Sequence, residues 1–190
     1  ALTELLQQGN ATVIGCDANP ERREQAHRQL GFQTVDTDDI YDVPVDIFAP
    51  CAMGGSISQY TLPRLKCEVI AGSANNQLAD APTPRAILER GILYAPDYVI
   101  NAGGLINVYV ELHGYDRTRA LALTREIYSR LRKVFAVAHD LGIPTSVAAD
   151  RIVEQRLAQG RRERTSNGAS AADVSGNPAT SIAGVVAQPH

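Results

Sequence analysis

Five short runs of apolar and β-branched residues recur along the chain, at 11–15 (ATVIG), 33–35 (QTV), 46–50 (DIFAP), 68–72 (EVIAG) and 92–94 (ILY). None is long enough to form a helix of ordinary length, and each is bounded by Gly, Pro, Asp or Asn. Helical patterns lie between several of them. Asn19-Pro20 supplies an N-cap with proline at the first helical position, and Gly31 a stop, so the pattern predicts a helix over residues 20–30. A second follows Pro82 and Pro84, over residues 85–90. Short buried strands alternating with helices predict an α/β fold of Rossmann type, a parallel sheet with helices on both faces.

The clearest junction in this rhythm spans residues 94–108 (YAPDYVINAGGLINV). Pro96 ends the strand before it, since proline cannot donate to a ladder. Asn101 to Gly104 are small, and the paired glycines permit positive φ and close approach of a backbone or ligand. A helical pattern then begins, with Leu105, Val108 and Leu112 on one face and Tyr109 beside them. A strand end, a small-residue turn and a helix start mark the place where open α/β sheets bind ligands. A plain connecting turn would look the same.

Composition narrows the function classes. The 190 residues are enough for one domain with a substantial core. A net charge of −3 and a pI near 5.8 lack the concentrated positive charge that phosphate affinity requires, so no nucleic-acid partner is expected. No run reaches the roughly 18 apolar residues of a membrane span, so no membrane partner is expected either. Cys16, Cys51 and Cys67 are odd in number and lack CxxC spacing. They predict a reducing, cytoplasmic setting, with neither a disulfide scaffold nor a metal site. Of 18 basic residues only Lys66 and Lys133 are lysines. The chain opens with Ala, inside a helical pattern over residues 1–8, and reads as the C-terminal piece of a longer protein.

Three further stretches carry chemistry. Asp17 follows the run at 11–15, and dinucleotide-binding folds place at the end of their second strand an acid that accepts hydrogen bonds from the adenosine ribose. A carboxylate there also repels a 2′-phosphate, although Arg22 and Arg23 lie one helical turn on. Asp17 could equally help cap the helix that follows. Residues 51–56 (CAMGGS) form a small loop after a strand, suited to passing close over a flat cofactor. Cys51, with no histidine near it in sequence, reads as a small packed residue rather than a nucleophile. Residues 73–77 (SANNQ) offer amide donors and acceptors that suit a carboxamide or amino-acid ligand, and suit turns equally.

Beyond residue 116 the pattern predicts a long helix to Leu141, with Leu121, Ile127, Leu131, Val134, Phe135 and Ala138 as its apolar stripe. Gly142 stops it and Pro144 opens another helix to about Arg164. Residues 165–190 are rich in Ser, Ala, Gly, Asn and Pro, and predict a disordered tail. The domain plan is thus residues 1–142 for the sheet domain, 143–164 for a C-terminal helix, and the tail.

Together with residues 46–55 (DIFAPCAMGG), 71–78 (AGSANNQL) and 144–151 (PTSVAADR), the 94–108 junction closely resembles the amino-acid dehydrogenases of the leucine, phenylalanine and valine type. The resemblance runs to about residue 164. It implies NAD as cofactor and oxidative deamination of an L-amino acid to its 2-oxo acid and ammonia. It also implies a homo-oligomer and a two-domain protein, of which this chain is the NAD-binding Rossmann domain without its first strand and phosphate loop. By the same resemblance Asp17 and Ala18 meet the adenosine ribose, and Cys51, Ala52 and Met53 line the cofactor path. Ala74, Asn76 and Asn101 surround the nicotinamide end. Asn76, Leu105 and Val108 face the substrate. The family's catalytic lysine and acid belong to the other domain, and neither Lys66 nor Lys133 sits in a matching motif. No catalytic residue is expected here, and the chain alone is expected to be inactive.

Two rivals remain on the sequence. A methyltransferase using S-adenosylmethionine also places an acid after its second strand, but has no use for the NAGG and GSANNQ blocks. A non-catalytic dinucleotide-binding or assembly module is the other. A Rossmann sheet without its central first strand leaves backbone groups unpaired, which predicts marginal stability.

Overall fold

The computed structural model describes residues 2–172. The elements in order are α1 (Leu2–Gln8), β1 (Ile14–Gly15), α2 (Pro20–Leu30), β2 (Gln33–Thr34), β3 (Ile47–Phe48), β4 (Val69–Ile70), α3 (Thr83–Glu89), β5 (Leu93–Tyr94), α4 (Asp97–Ile100), α5 (Gly103–Leu112), α6 (Arg117–Leu141) and α7 (Thr145–Ala172). All strand pairs are parallel. The strands form two sheets, one of order β1-β2 and one of order β3-β4-β5. The chain divides into two compact units, Ala1–Asp150 and a second beginning at Arg151.

Local chemistry explains the helix ends. The Asn19 side chain accepts from the backbone N–H groups of Glu21 and Arg22, and Gly31 turns left-handed at φ 68° to close α2. Asp116 caps α6 in the same way, accepting from Thr118 and Arg119, and Gly142 ends it at φ 60°.

The core lies around β3, β4 and β5. Phe48, Ile57, Leu62, Leu65, Ile70, Ile87, Ile92 and Tyr94 form one buried cluster. Burying a side chain such as Ile70 stabilises by about 1.5–3 kcal/mol. Among the described residues, none before Phe48 is buried. The first sheet and its two helices therefore stand without a core of their own, and Ile47 on β3 is 56% exposed. The second sheet is held tightly at one point. A Cβ on Gly72 would lie 2.1 Å from the carbonyl oxygen of Pro50, so the two backbones meet where no side chain fits.

Several expectations need correction. The helix expected after Gly104 starts at Gly103, and the paired glycines do not use the positive φ they permit. Gly103 and Gly104 are the first residues of α5, in helical conformation, and the left-handed non-glycine residues are Asn10 and Asn76. A turn of helix, α4, intervenes between the proline and these glycines, because Asn101 N–H and Ile100 N–H bond back to Asp97 and Pro96. Leu121 is 45% exposed and leaves the apolar stripe of α6, whereas Val134 and Ala138 are buried. The last helix continues to Ala172, so the first residues assigned to the tail are helical. The rest of that tail, residues 173–190, lies outside the described residues.

Two substitutions separate packing from conformation. Gly72→Ala should destabilise the protein by at least about 1–3 kcal/mol through overpacking. Gly104→Ala, with open space around its Cβ, should instead stabilise by about 0.4–1 kcal/mol through the unfolded chain. Denaturant melts of the two variants measure both signs.

Candidate functional site

The three paired strands β3, β4 and β5 end level with one another, Phe48 opposite Ile70 and Ile70 opposite Tyr94. Three loops leave that edge together, at residues 49–55, 71–77 and 95–102. They are joined by backbone hydrogen bonds. Ala74 N–H donates to Pro50 O at 2.9 Å, and Gly55 N–H donates to Asn76 O at 2.7 Å. Gly54 has no room for a side chain, since its Cβ would lie 2.8 Å from Asn75 O. The third loop joins through Asn101, whose Nδ2 donates to Asn75 Oδ1 at 2.6 Å. Ala74, Asn76, Asn101 and residues 51–53 therefore share one rim. Ala74 is buried, Asn101 half-buried, and Cys51, Ala52, Met53 and Asn76 exposed.

The helix α5 starts beside this rim. Leu105 is 75% exposed and Val108 50%, one turn apart on the same helix. Both are large apolar groups left in the open, with Leu112 further along the same stripe.

Asp17 and Ala18 stand apart from the rim, at the end of β1 in the other sheet, and both are exposed. Asp17 Oδ1 accepts from Asn19 N–H at 2.8 Å, which tightens the turn into α2. The capping of α2 itself belongs to Asn19. Arg23 is turned away from Asp17, donating to Asp36 Oδ1 and to Val35 O. Lys66 precedes β4, at the opposite end of the sheet from the rim, and Lys133 is an exposed residue of α6.

Two buried polar residues support the rim: Gln77, the last of the amide run at 73–77, and Asp97, which the sequence reading did not single out. Gln77 has no solvent exposure and Asp97 is 9% exposed. Gln77 N–H donates to Asp97 Oδ2 at 3.3 Å, and Tyr98 N–H donates to Asp97 Oδ1 at 2.9 Å. The available signal was position: Gln77 closes the amide-rich loop after β4, and Asp97 opens α4 behind Pro96. Tyr98 in turn donates from its hydroxyl to Asp150 Oδ1 and Ser146 O, each at 3.1 Å. Burial, then the Asp150 carboxylate, push the Tyr98 phenol well above its usual range. Burial and the Asp97 charge push Tyr94 up to about 12.

Among the described residues no group of three or more His, Cys, Asp or Glu could hold a metal ion, and no helix is long and apolar enough to cross a membrane. All three cysteines are unpaired.

A parallel α/β protein with its loops gathered at the strand ends has the arrangement in which open α/β sheets bind ligands. The match to solved structures agrees. The crystal structure of L-tryptophan dehydrogenase from Nostoc punctiforme superposes with a TM-score of 0.81 at 42% identity, covering 83% of this chain and 48% of that one. The Glutamate/Leucine/Phenylalanine/Valine dehydrogenase family matches residues 5–163, and the chain belongs to that family. Leucine dehydrogenase from Geobacillus stearothermophilus is 51% identical over 160 residues, covering 84% of this chain and 44% of its own length. Valine dehydrogenase from Streptomyces albus is 50% identical over 130 residues, covering 68% of this chain and 36% of its own. The chain thus spans less than half the length of these relatives.

The Tyr98 contact gives a titration test. Ordinary tyrosine ionises near pH 10. A phenol raised in the folded state stabilises it fully below that pH, and the contribution is lost as pH rises through the folded value. Asp150→Asn should lower the pH at which Tyr98 ionises and leave Tyr94 unchanged. Ultraviolet absorbance of tyrosinate along an alkaline titration reads both.

Proposed function

We propose that this chain is the NAD-binding part of an L-amino-acid dehydrogenase, which deaminates a branched-chain or aromatic L-amino acid oxidatively to its 2-oxo acid and ammonia. The observation that carries this reading is the break in the sheet. A dinucleotide-binding sheet has strand order 3-2-1-4-5-6. The two observed sheets, with orders β1-β2 and β3-β4-β5, correspond to that order with strand 1 and its Gly-rich phosphate turn left out. One added parallel strand between β1 and β3 would join them. It would pair the open edges, cover the exposed Ile47, and bring Asp17 and the rim onto one continuous edge.

The residues present fit NAD. One oxygen of Asp17 is used by Asn19 N–H, and the second has no partner among the described residues, so it can accept from a ribose hydroxyl. The same charge disfavours a 2′-phosphate, and Arg23, committed to Asp36, does not offset it. Ala18 packs beside the ribose. Cys51, Ala52 and Met53 give the dinucleotide a small-residue path. Ala74, Asn76 and Asn101 take the nicotinamide end, where the bound ring supplies the hydride acceptor. Leu105 and Val108, exposed in this chain, receive the substrate side chain, with Asn76 beside it. The lysine that activates water and the acid that moves the proton come from another part of the full-length protein. Assembly as a homo-oligomer and residence in the reducing cytoplasm complete the proposal. The exposed Leu2, Leu5 and Tyr115 offer apolar surface for contacts, and the unpaired thiols fit that compartment.

The 190-residue chain should form no NADH from L-leucine, L-valine or L-phenylalanine, while the same chain extended by its upstream coding sequence should do so. A measurable rate from the short chain, or none from the extended protein with any L-amino acid, would falsify the proposal. In the extended protein Leu105→Ala should move kcat/KM toward larger side chains by about 1–3 kcal/mol, the scale of one or two methylenes in an apolar pocket.

A further inference from the structure

The amide-rich loop after β4 is closed by its own last residue. Gln77 is fully buried. Its Nε2 donates both hydrogens inward, to Gly72 O at 2.8 Å and to Ala74 O at 3.0 Å. Those carbonyls belong to buried residues, and without Gln77 they would face the interior with fewer partners. The backbone of Gln77 is fastened too. Its N–H meets Asp97, and its carbonyl accepts from Ile57 N–H at 3.0 Å. The residue before it, Asn76, is held left-handed at φ 53°. An L-residue keeps that conformation when its surroundings over-determine it. Here the surroundings are Gly55 N–H on the Asn76 carbonyl and Gln77 on the other side. One buried side chain therefore stands where the loops from β3, β4 and β5 meet.

The geometry points to Gln77, backed by Asp97, as the positioning residue that fixes the Ala74–Asn76 rim and so sets how tightly the nicotinamide end is held. This rests on reading the rim as the nicotinamide side of the cleft. Gln77 touches neither cofactor nor substrate in this assignment. It acts through the backbone of Ala74 and through the conformation of Asn76. An amide is required because the two carbonyls need two donors on one flat group, which only Asn and Gln present as a neutral side chain of this size.

The test compares Gln77→Met with Gln77→Glu in the extended protein and in the 190-residue chain, with NADH as the probe. Gln77→Met fills a similar volume without any donor. It should speed amide hydrogen exchange across residues 72–77 and weaken NADH binding about tenfold at every pH. Gln77→Glu places a carboxylate against two carbonyls at high pH, and regains one O–H donor when protonated. Burial raises the pH of that protonation, and the neighbouring Asp97 carboxylate raises it further. The other ionisable group meeting this cluster, Tyr94, stays neutral below its raised value. Exchange protection and NADH affinity of Gln77→Glu should therefore both recover as pH falls, while wild type stays flat. Unchanged exchange in Gln77→Met would overturn the hold of Gln77 on the rim. Faster exchange with unchanged NADH affinity would overturn its part in binding. Absence of NADH binding by the extended wild type would instead sink the reading of the cleft and take the affinity half of this inference with it, and exchange would still decide the other half.

Discussion

The parallel ladder of β3, β4 and β5 is the constraint from which the rest of the structure follows. It continues past the strands proper, with Ala71 N–H on Phe48 O at 3.0 Å and Ala95 N–H on Ile70 O at 2.9 Å. Those bonds set the heights at which the three loops leave the sheet. Once the heights are equal, the loops must cross at backbone distance, and only glycine at positions 54 and 72 leaves room. The rim is thus a consequence of strand register. A shift of one residue would send Ile70 to the opposite face and dismantle core and rim together.

Beneath the rim the interior is polar. The buried polar residues are Gln77, Thr83 and Asp97, all on or beside the connections leaving β4 and β5. Burying such groups costs free energy unless they are hydrogen-bonded. Gln77 Nε2 and N–H, the Asp97 carboxylate and Thr83 are all hydrogen-bonded, while Gln77 Oε1 has no partner among the described residues. This layer gives the loops a single arrangement where an apolar filling would allow several. The first sheet has the opposite character. With no buried residue on α1, β1, α2 or β2, it has little apolar burial to resist opening, and belongs to the low-stability end of the fold. The proposed missing strand accounts for that imbalance, since it would supply the cover that the first sheet lacks.

Much of the element order was legible. Asn19-Pro20 and Gly31 bound α2, and Gly142 ends α6, as the sequence chemistry requires. All five strands lie inside the apolar runs, although each is reduced to two residues. The turn read at 101–104 is shorter in the structure, with Gly103 and Gly104 already in α5, since two glycines permit positive φ without demanding it. Hydrogen bonding to Pro96 and Asp97 built a helical turn first, and left the glycines in helix. Asn is a residue type that turns left-handed readily, but the sequence does not show the Gly55 N–H from another loop that holds the Asn76 carbonyl in place. The burial of Gln77 and Asp97 was out of reach too, since burial of a polar side chain is not written in its neighbours.

What the sequence by itself determined is local and periodic: the strand and helix order, the caps and stops, and the blocks that mark the family. These depend on residues a few positions apart, whose hydrogen bonds and side-chain periodicity form without distant help. Only the tertiary structure decided which loops share a rim, that Asn76 is left-handed, that Arg23 serves Asp36 rather than the end of β1, and that the sheet is in two parts. Those depend on contacts between residues brought together by parallel crossovers, and a crossover fixes spatial neighbours that the linear order leaves open.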